Sequence, residues 1–188
     1  MMSNLEFLSK YANCEDLHIT KLDITTYEDS KPTMLFVDDS PATVTLFKRL
    51  VKRLHLEEDF NVLYSTGNDA GLRVLKTIYC EQDNNFKIDV ILTDITFGGS
   101  IEVKGELRTM NGIELVGILT KVYPELIYSF ITGHSVEDNI RSGLSNDFNA
   151  YNDNKLEDYV SYKDRAISTD KDLVYNILTG TKYEKFIK

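Results

Sequence analysis

The stretch Thr33-Met34-Leu35-Phe36-Val37-Asp38-Asp39-Ser40-Pro41 decides the fold. Met34 to Val37 is apolar at every position, without the alternation of a half-exposed strand. That is how a strand buried on both faces reads, as in a parallel sheet covered by helices on both sides. The run stops abruptly at Asp38 and Asp39. Ser40 then offers a side-chain oxygen for a helix N-cap, and Pro41 supplies the fixed φ that suits the first helical position. Phe47, Leu50, Val51 and Leu54 follow at i, i+3, i+4 and i+7, the apolar stripe of a helix.

Working outward, the same unit recurs. Asn61 to Thr66 reads as a second strand and Asn68 to Glu81 as a helix with Leu75 and Ile78 inward. Asp89 to Thr93 is a third buried strand, and Gly112 to Tyr123 a helix closed by Pro124. Leu126 to Ile131 is a fourth strand and Ser135 to Leu144 a helix. Asp158 to Tyr162 is a fifth strand, followed by a last helix over Ser168 to Leu178. Strands alternating with helices predict an α/β fold: a doubly wound, five-stranded parallel sheet with helices on both faces. Upstream, residues 1–32 read as an N-terminal extension, with Leu5, Leu8 and Ala12 at helical spacing. Leu17 to Tyr27 is rich in Thr and Ile and suggests one or two short strands. Lys31-Pro32 marks the boundary, residues 33–181 form the main domain, and 182–188 are a C-terminal tail. The Asn- and Asp-rich stretch 145–157 reads as a surface loop.

The chain of 188 residues is 27% charged and 42% hydrophobic, an ordinary globular balance. Its net charge of −9 argues against general nucleic-acid binding, which depends on many Lys and Arg contacts to phosphate. No apolar run approaches the length of a membrane span, and the first residues lack the pattern of a secretory signal. Cys14 and Cys80 are far apart and form no CxxC pair, so they read as reduced thiols of a cytoplasmic protein. His18 and His55 have no His or Cys partners at zinc-ligand spacing. Lys48, Arg49, Lys52 and Arg53 read as the solvated face of the first helix.

In a sheet of this kind, sites form at the carboxyl ends of the strands, beside the switch in strand order. Asp38 and Asp39 follow the first strand, Asp94 the third, Thr132-Gly133 the fourth and Lys163 the fifth. Taken singly, an Asp there is a helix cap, Thr-Gly a turn and Lys a solvated surface residue. Together they converge on one pocket. Two carboxylates 4 Å apart repel by about 4 kcal/mol at an effective dielectric of 20. A hard divalent cation offsets that, and Mg²⁺ takes oxygen ligands of this kind. A carboxylate nucleophile, Mg²⁺, a lysine and a hydroxyl make a phosphoryl-transfer site.

Phe36-Val37-Asp38-Asp39, Ile91-Leu92-Thr93-Asp94, the MNGIEL of 110–115, Ile131-Thr132-Gly133 and Lys163 resemble the receiver domain of two-component response regulators, over roughly residues 33–181. The resemblance implies the flavodoxin-like receiver fold, with Asp94 as phosphoacceptor. It implies Asp38, Asp39, Asp94 and the backbone carbonyl of Thr96 as Mg²⁺ ligands. Thr132 would contact the phosphoryl group, Gly133 keep access open and Lys163 pair with a phosphoryl oxygen. Thr96 and His134 fall where the family tunes dephosphorylation, and Val160 where it has an aromatic switch, with Tyr159 and Tyr162 flanking. The implied partners are a histidine kinase or phosphotransfer protein and a downstream protein. The implied activity is that of a signalling receiver catalysing only its own phosphorylation and dephosphorylation, not an enzyme with an external substrate. Output would pass through protein contacts or a phosphorelay, with no nucleic acid or membrane involved.

The chain departs from the family at three places. Residues 97–109 and 145–157 lengthen two loops, and Lys163 is followed by Asp164 where the family has Pro, often after a cis bond. A cis bond before a non-proline residue costs about 2.5–4 kcal/mol, so a trans bond is expected here. These departures leave an alternative open: a receiver-like interaction module not switched by phosphorylation. An aspartate-nucleophile phosphatase fits poorly, because Ser40 stands two residues after Asp38 where that chemistry needs a second Asp. Within 97–109, Ile101 and Val103 alternate with Glu102, Lys104-Gly105 offers a turn, and Glu106-Leu107-Arg108 alternate again. This predicts a short hairpin at the rim of the acidic pocket, hinged at Gly98-Gly99.

Overall fold

The computed structural model describes residues 19–81, 86–96, 100–103, 106–133, 160–162 and 171–186. Five strands form one parallel sheet: β1 (Thr33–Val37), β2 (Asn61–Ser65), β3 (Val90–Asp94), β6 (Ile127–Thr132) and β7 (Val160–Tyr162). Their order is β2-β1-β3-β6-β7. The chain steps from β1 to one side, then crosses to the other for β3, so the switch point lies between β1 and β3. Among the described residues, four helices of eight residues or more cover the sheet: α1 (Pro41–Arg53), α2 (Ala70–Cys80), α3 (Gly112–Val122) and α4 (Lys171–Leu178). The described part of the expected doubly wound fold is therefore present. The expected helix at 135–144, the loop 145–157 and residues 158–159 lie outside the described residues.

Alternate side chains of β1 sort the core into two layers. Met34 and Phe36 pack with Val44, Phe47, Leu50 and Val51 of α1 and Leu173, Val174 and Leu178 of α4. Leu35 and Val37 pack on the other face with Val74, Leu75 and Ile78 of α2 and Ile113, Val116 and Leu119 of α3. The Phe36 and Phe47 rings stack with centroids 4.0 Å apart. All five β1 residues are buried, as the unbroken apolar run requires. The Ser40 side chain caps α1 by accepting from the Thr43 N–H, with Pro41 in the first turn.

The segment before β1 differs from its sequence reading. Residues 19–32 contain turns and no strand. Leu22 is buried in the layer beneath α2 and α3, and its N–H donates to Thr77 Oγ1 of α2 at 2.8 Å. Lys21 pairs with Glu81. Asn61 accepts from the Glu28 N–H (2.8 Å) and donates to the Glu28 and Lys31 carbonyls. Side-chain partners thus satisfy the polar groups that a strand ladder would have paired. The chain end is anchored similarly. Tyr183 donates to Asp89 Oδ1 at 2.7 Å, while Asp89 Oδ2 accepts from the Thr33 N–H at 2.9 Å.

The expected hairpin is present: β4 (Ser100–Val103) and β5 (Glu106–Thr109) pair antiparallel as a separate two-stranded sheet, with Val103 opposite Glu106. The reduced-thiol reading needs correction, because Cys80 at the end of α2 is disulfide-bonded. Nothing in its local sequence signals this, since no cysteine stands at motif spacing, and Cys14 lies outside the described residues. Among the described residues, no helix is long and apolar enough to cross a membrane.

Candidate acidic site at the carboxyl end of the sheet

The register of the central strands brings the aspartates together. Val37 of β1 stands opposite Thr93 of β3, so Asp38 and Asp94 leave the ladder side by side. Asp39 continues the same turn. One carboxylate oxygen from each of the three lies within 4.8 Å of the others. Asp38 is fully buried and Asp94 is 4% exposed, whereas Asp39 is half-buried. At 4.8 Å and an effective dielectric of 20, each charged pair repels by about 3.5 kcal/mol. Hard oxygen donors gathered in this way fit Mg²⁺, which is held by one or two carboxylates and keeps several waters.

Local backbone geometry holds the set in place. Asp38 Oδ1 accepts from the Ser40 N–H at 2.9 Å, so the helix cap and the carboxylate are fixed by the same turn. The Asp39 carbonyl accepts from the Gly67 N–H at 3.2 Å. Gly67 has φ of +92°, a conformation open to glycine. Asp94 Oδ1 accepts from the Thr96 N–H at 3.4 Å, which places the Thr96 backbone at the rim.

Gly112, which opens α3, stands where no side chain fits. A Cβ there would stand 1.9 Å from the Asp94 carbonyl oxygen and 3.0 Å from Thr93 Oγ1. The Gly112 N–H also donates to the Ile95 carbonyl at 2.8 Å. The start of α3 is therefore pressed directly against the peptide of Asp94. Asn111 caps that helix, its Oδ1 accepting from the Glu114 N–H at 2.7 Å. The signal was the Asn-Gly before a helical apolar pattern, which marks a cap but not a close approach.

Thr132 ends β6, one register step beyond the Asp94–Ile131 pair, and is fully buried; Gly133 after it is exposed. Thr132 pairs with Tyr162 of β7. Lys163 comes next in sequence but lies outside the described residues, as do the Lys163–Asp164 bond, Tyr159 and His134. The structure thus gathers Asp38, Asp39, Asp94, Thr96 and Thr132 at one end of the sheet.

No protein-family model matches this chain, and no curated protein matches it. Solved structures do. The isolated receiver domain of RcsB from Salmonella enterica serovar Typhimurium, determined with the phosphomimetic BeF₃⁻, is similar over 85% of this chain and 100% of its own. The identity is 13% and the TM-score 0.51. A CheY-like receiver from Methanospirillum hungatei is 23% identical, covering 79% of this chain and 91% of its own, with a TM-score of 0.46. A receiver protein from Sinorhizobium medicae is 15% identical over 80% of this chain and 94% of its own, with a TM-score of 0.48. The strand order, the two-sided helical cover and the likeness to the RcsB domain together show that this chain has the fold of response regulator receiver domains.

Proposed function

We propose that the chain is a receiver that accepts a phosphoryl group on Asp94 in a Mg²⁺-dependent reaction. The supporting observation is the convergence of Asp38, Asp39 and Asp94 within 4.8 Å at the switch point of the sheet. Asp38, Asp39, Asp94 and the Thr96 carbonyl are the proposed ligands. Bound there, Mg²⁺ supplies positive charge to the phosphoryl oxygens and offsets the crowded carboxylates.

The chain's own residues do the rest. An Asp94 carboxylate oxygen attacks phosphorus as the bond to the donor breaks. With a phosphohistidine donor the imidazole leaves, and with acetyl phosphate the acetate leaves. The Thr132 hydroxyl and the Lys163 ammonium take up phosphoryl oxygens, and Gly133 leaves the entrance free. Water then attacks phosphorus, the bond to Asp94 breaks, and inorganic phosphate leaves as Asp94 returns to its carboxylate. Only self-directed chemistry is assigned to the chain.

The unit carrying this activity is residues 33–181, and a histidine kinase or phosphotransfer protein is the proposed donor. The signal leaves through a protein partner or a relay, without nucleic acid or a membrane. The hairpin β4–β5, inserted between Asp94 and α3, is proposed as a partial cover of the site. A cytoplasmic location accompanies this reading. A disulfide such as that at Cys80 is unusual in that compartment.

Beryllofluoride with Mg²⁺ tests the proposal. Amide resonances of residues 94–96 and 132–133 should shift in the wild type and stay still in Asp94→Asn. Shifts of equal size in both proteins would refute the assignment.

A further inference from the structure

A second pocket lies at the opposite end of the sheet and has no part in the chemistry above. Its volume is about 340 Å³. One wall is the segment ending at Pro32, just before β1, and another is the chain end after α4. It therefore sits at the amino ends of the strands, a full strand length of about 16 Å from the acidic set.

Four lysines line it in an otherwise acidic chain. Lys31, Lys87, Lys182 and Lys185 all face it, against one carboxylate, Asp29. Four of the 21 basic residues of a −9 protein are gathered here. Lys31 and Lys182 pair with Glu28 (2.7 Å) and Glu125 (2.8 Å), whose side chains are 56% and 85% exposed. Exposed pairs of this kind contribute at most about 1 kcal/mol, so an incoming anion can replace the glutamates. Lys87 is held by buried Asp89 at 3.2 Å. Lys185 lies 4.8 Å above the Phe186 ring and makes no ion pair among the described residues. Phe186 also lines the pocket and gives it an apolar side.

We propose that this pocket binds a small phosphate-bearing anion of about nucleoside diphosphate size. The volume falls at the lower end of the roughly 300–1,000 Å³ of small-molecule sites. Lysines recognise phosphate as point charges without demanding one geometry. Because its walls come from the segments flanking the sheet, binding here is separate from phosphorylation at Asp94.

The test uses the full chain in EDTA at low salt, titrated calorimetrically with inorganic pyrophosphate and with ADP. The variants are Lys182→Glu/Lys185→Glu in the pocket and Arg49→Glu/Lys52→Glu on α1, which changes net charge equally elsewhere. Circular dichroism checks that each is folded. At least one ligand should bind, roughly tenfold or more weakly to the pocket variant and unchanged in the α1 variant. Binding of both ligands marks an anion site, and binding of ADP alone marks a nucleotide site with Phe186 beneath the base. Binding of pyrophosphate alone marks a site for the inorganic anion. No binding of either ligand, or an equal loss in both variants, overturns the proposal.

Discussion

Replacing Gly112 by Ala should disturb the acidic site through backbone alone, without touching a carboxylate. The new Cβ would lie 1.9 Å from the Asp94 carbonyl oxygen and 3.0 Å from its carbonyl carbon. Ordinary contact begins near 3.4 Å, so one of the two backbones must give way by 3.4 − 1.9 = 1.5 Å. Neither partner is a flexible side-chain end. Asp94 closes a central strand, and α3 buries Ile113, Leu115 and Val116 immediately behind the glycine. Overpacking at such a position costs about 1–3 kcal/mol. Losing the Gly112 N–H bond to Ile95, now 2.8 Å, adds about 1 kcal/mol. The expected loss is therefore about 2–4 kcal/mol in urea unfolding, with an unchanged m-value. A displacement of about 1 Å can lower a positioned reaction about 100-fold, so phosphorylation by acetyl phosphate should fall far more than the folded fraction does. Both are measured at a temperature where circular dichroism shows the variant folded. Stability within 0.5 kcal/mol of wild type (about the scatter of a neutral surface change) together with an unchanged phosphorylation rate would refute the reasoning.

Asp39→Ala removes one of three crowded carboxylates, the half-buried one. It should weaken Mg²⁺ binding in a metal titration, yet stabilise the metal-free protein by roughly 1 kcal/mol after solvent screening. In thermal unfolding that is about 2–4 °C upward; a lower melting temperature would count against it. Tyr183→Phe deletes the donor to buried Asp89 and should cost about 1–3 kcal/mol. Burial, then the hydrogen bond to Asp89, pushes the Tyr183 phenol up to about 12, whereas an unfolded phenol titrates near about 10. Its contribution to stability is therefore present below pH about 10 and lost as pH rises toward 12. Denaturation midpoints across that window should fall less steeply in Tyr183→Phe than in wild type, and parallel curves would contradict this. Cys80, being disulfide-bonded, should resist iodoacetamide until a reductant is added; full alkylation of the unreduced native protein would show a free thiol instead.

Much of the fold was legible because local and global signals agreed. The apolar run of Met34 to Val37 needed cover on both faces, and Ser40-Pro41 fixed where α1 begins. The hairpin was readable from alternation around Lys104-Gly105, and its register agrees. The strand expected within Leu17 to Tyr27 is absent over its described part, 19–27: Thr and Ile carry strand propensity there, but Leu22 bonds to Thr77, and Glu28 just beyond bonds to Asn61, distant side chains that no local pattern names. The Tyr183–Asp89 bond spans 94 residues and was invisible for the same reason. At the site, the positions of Asp38, Asp39, Asp94 and Thr132 followed from strand ends alone. The need for glycine at 112 did not, since it comes from how closely α3 approaches β3. The disulfide at Cys80 left no trace in spacing. The aim of Lys163 lies beyond the described residues.

The central claim is that Asp94 accepts phosphate with Mg²⁺ bound beside it. Intact-mass spectrometry of the full chain with acetyl phosphate tests it most directly, comparing Mg²⁺ with EDTA and wild type with Asp94→Asn. One phosphoryl group is expected on the wild type with Mg²⁺, none in EDTA and none on folded Asp94→Asn. Equal phosphoryl uptake by Asp94→Asn, or no uptake by the wild type in Mg²⁺, would contradict it.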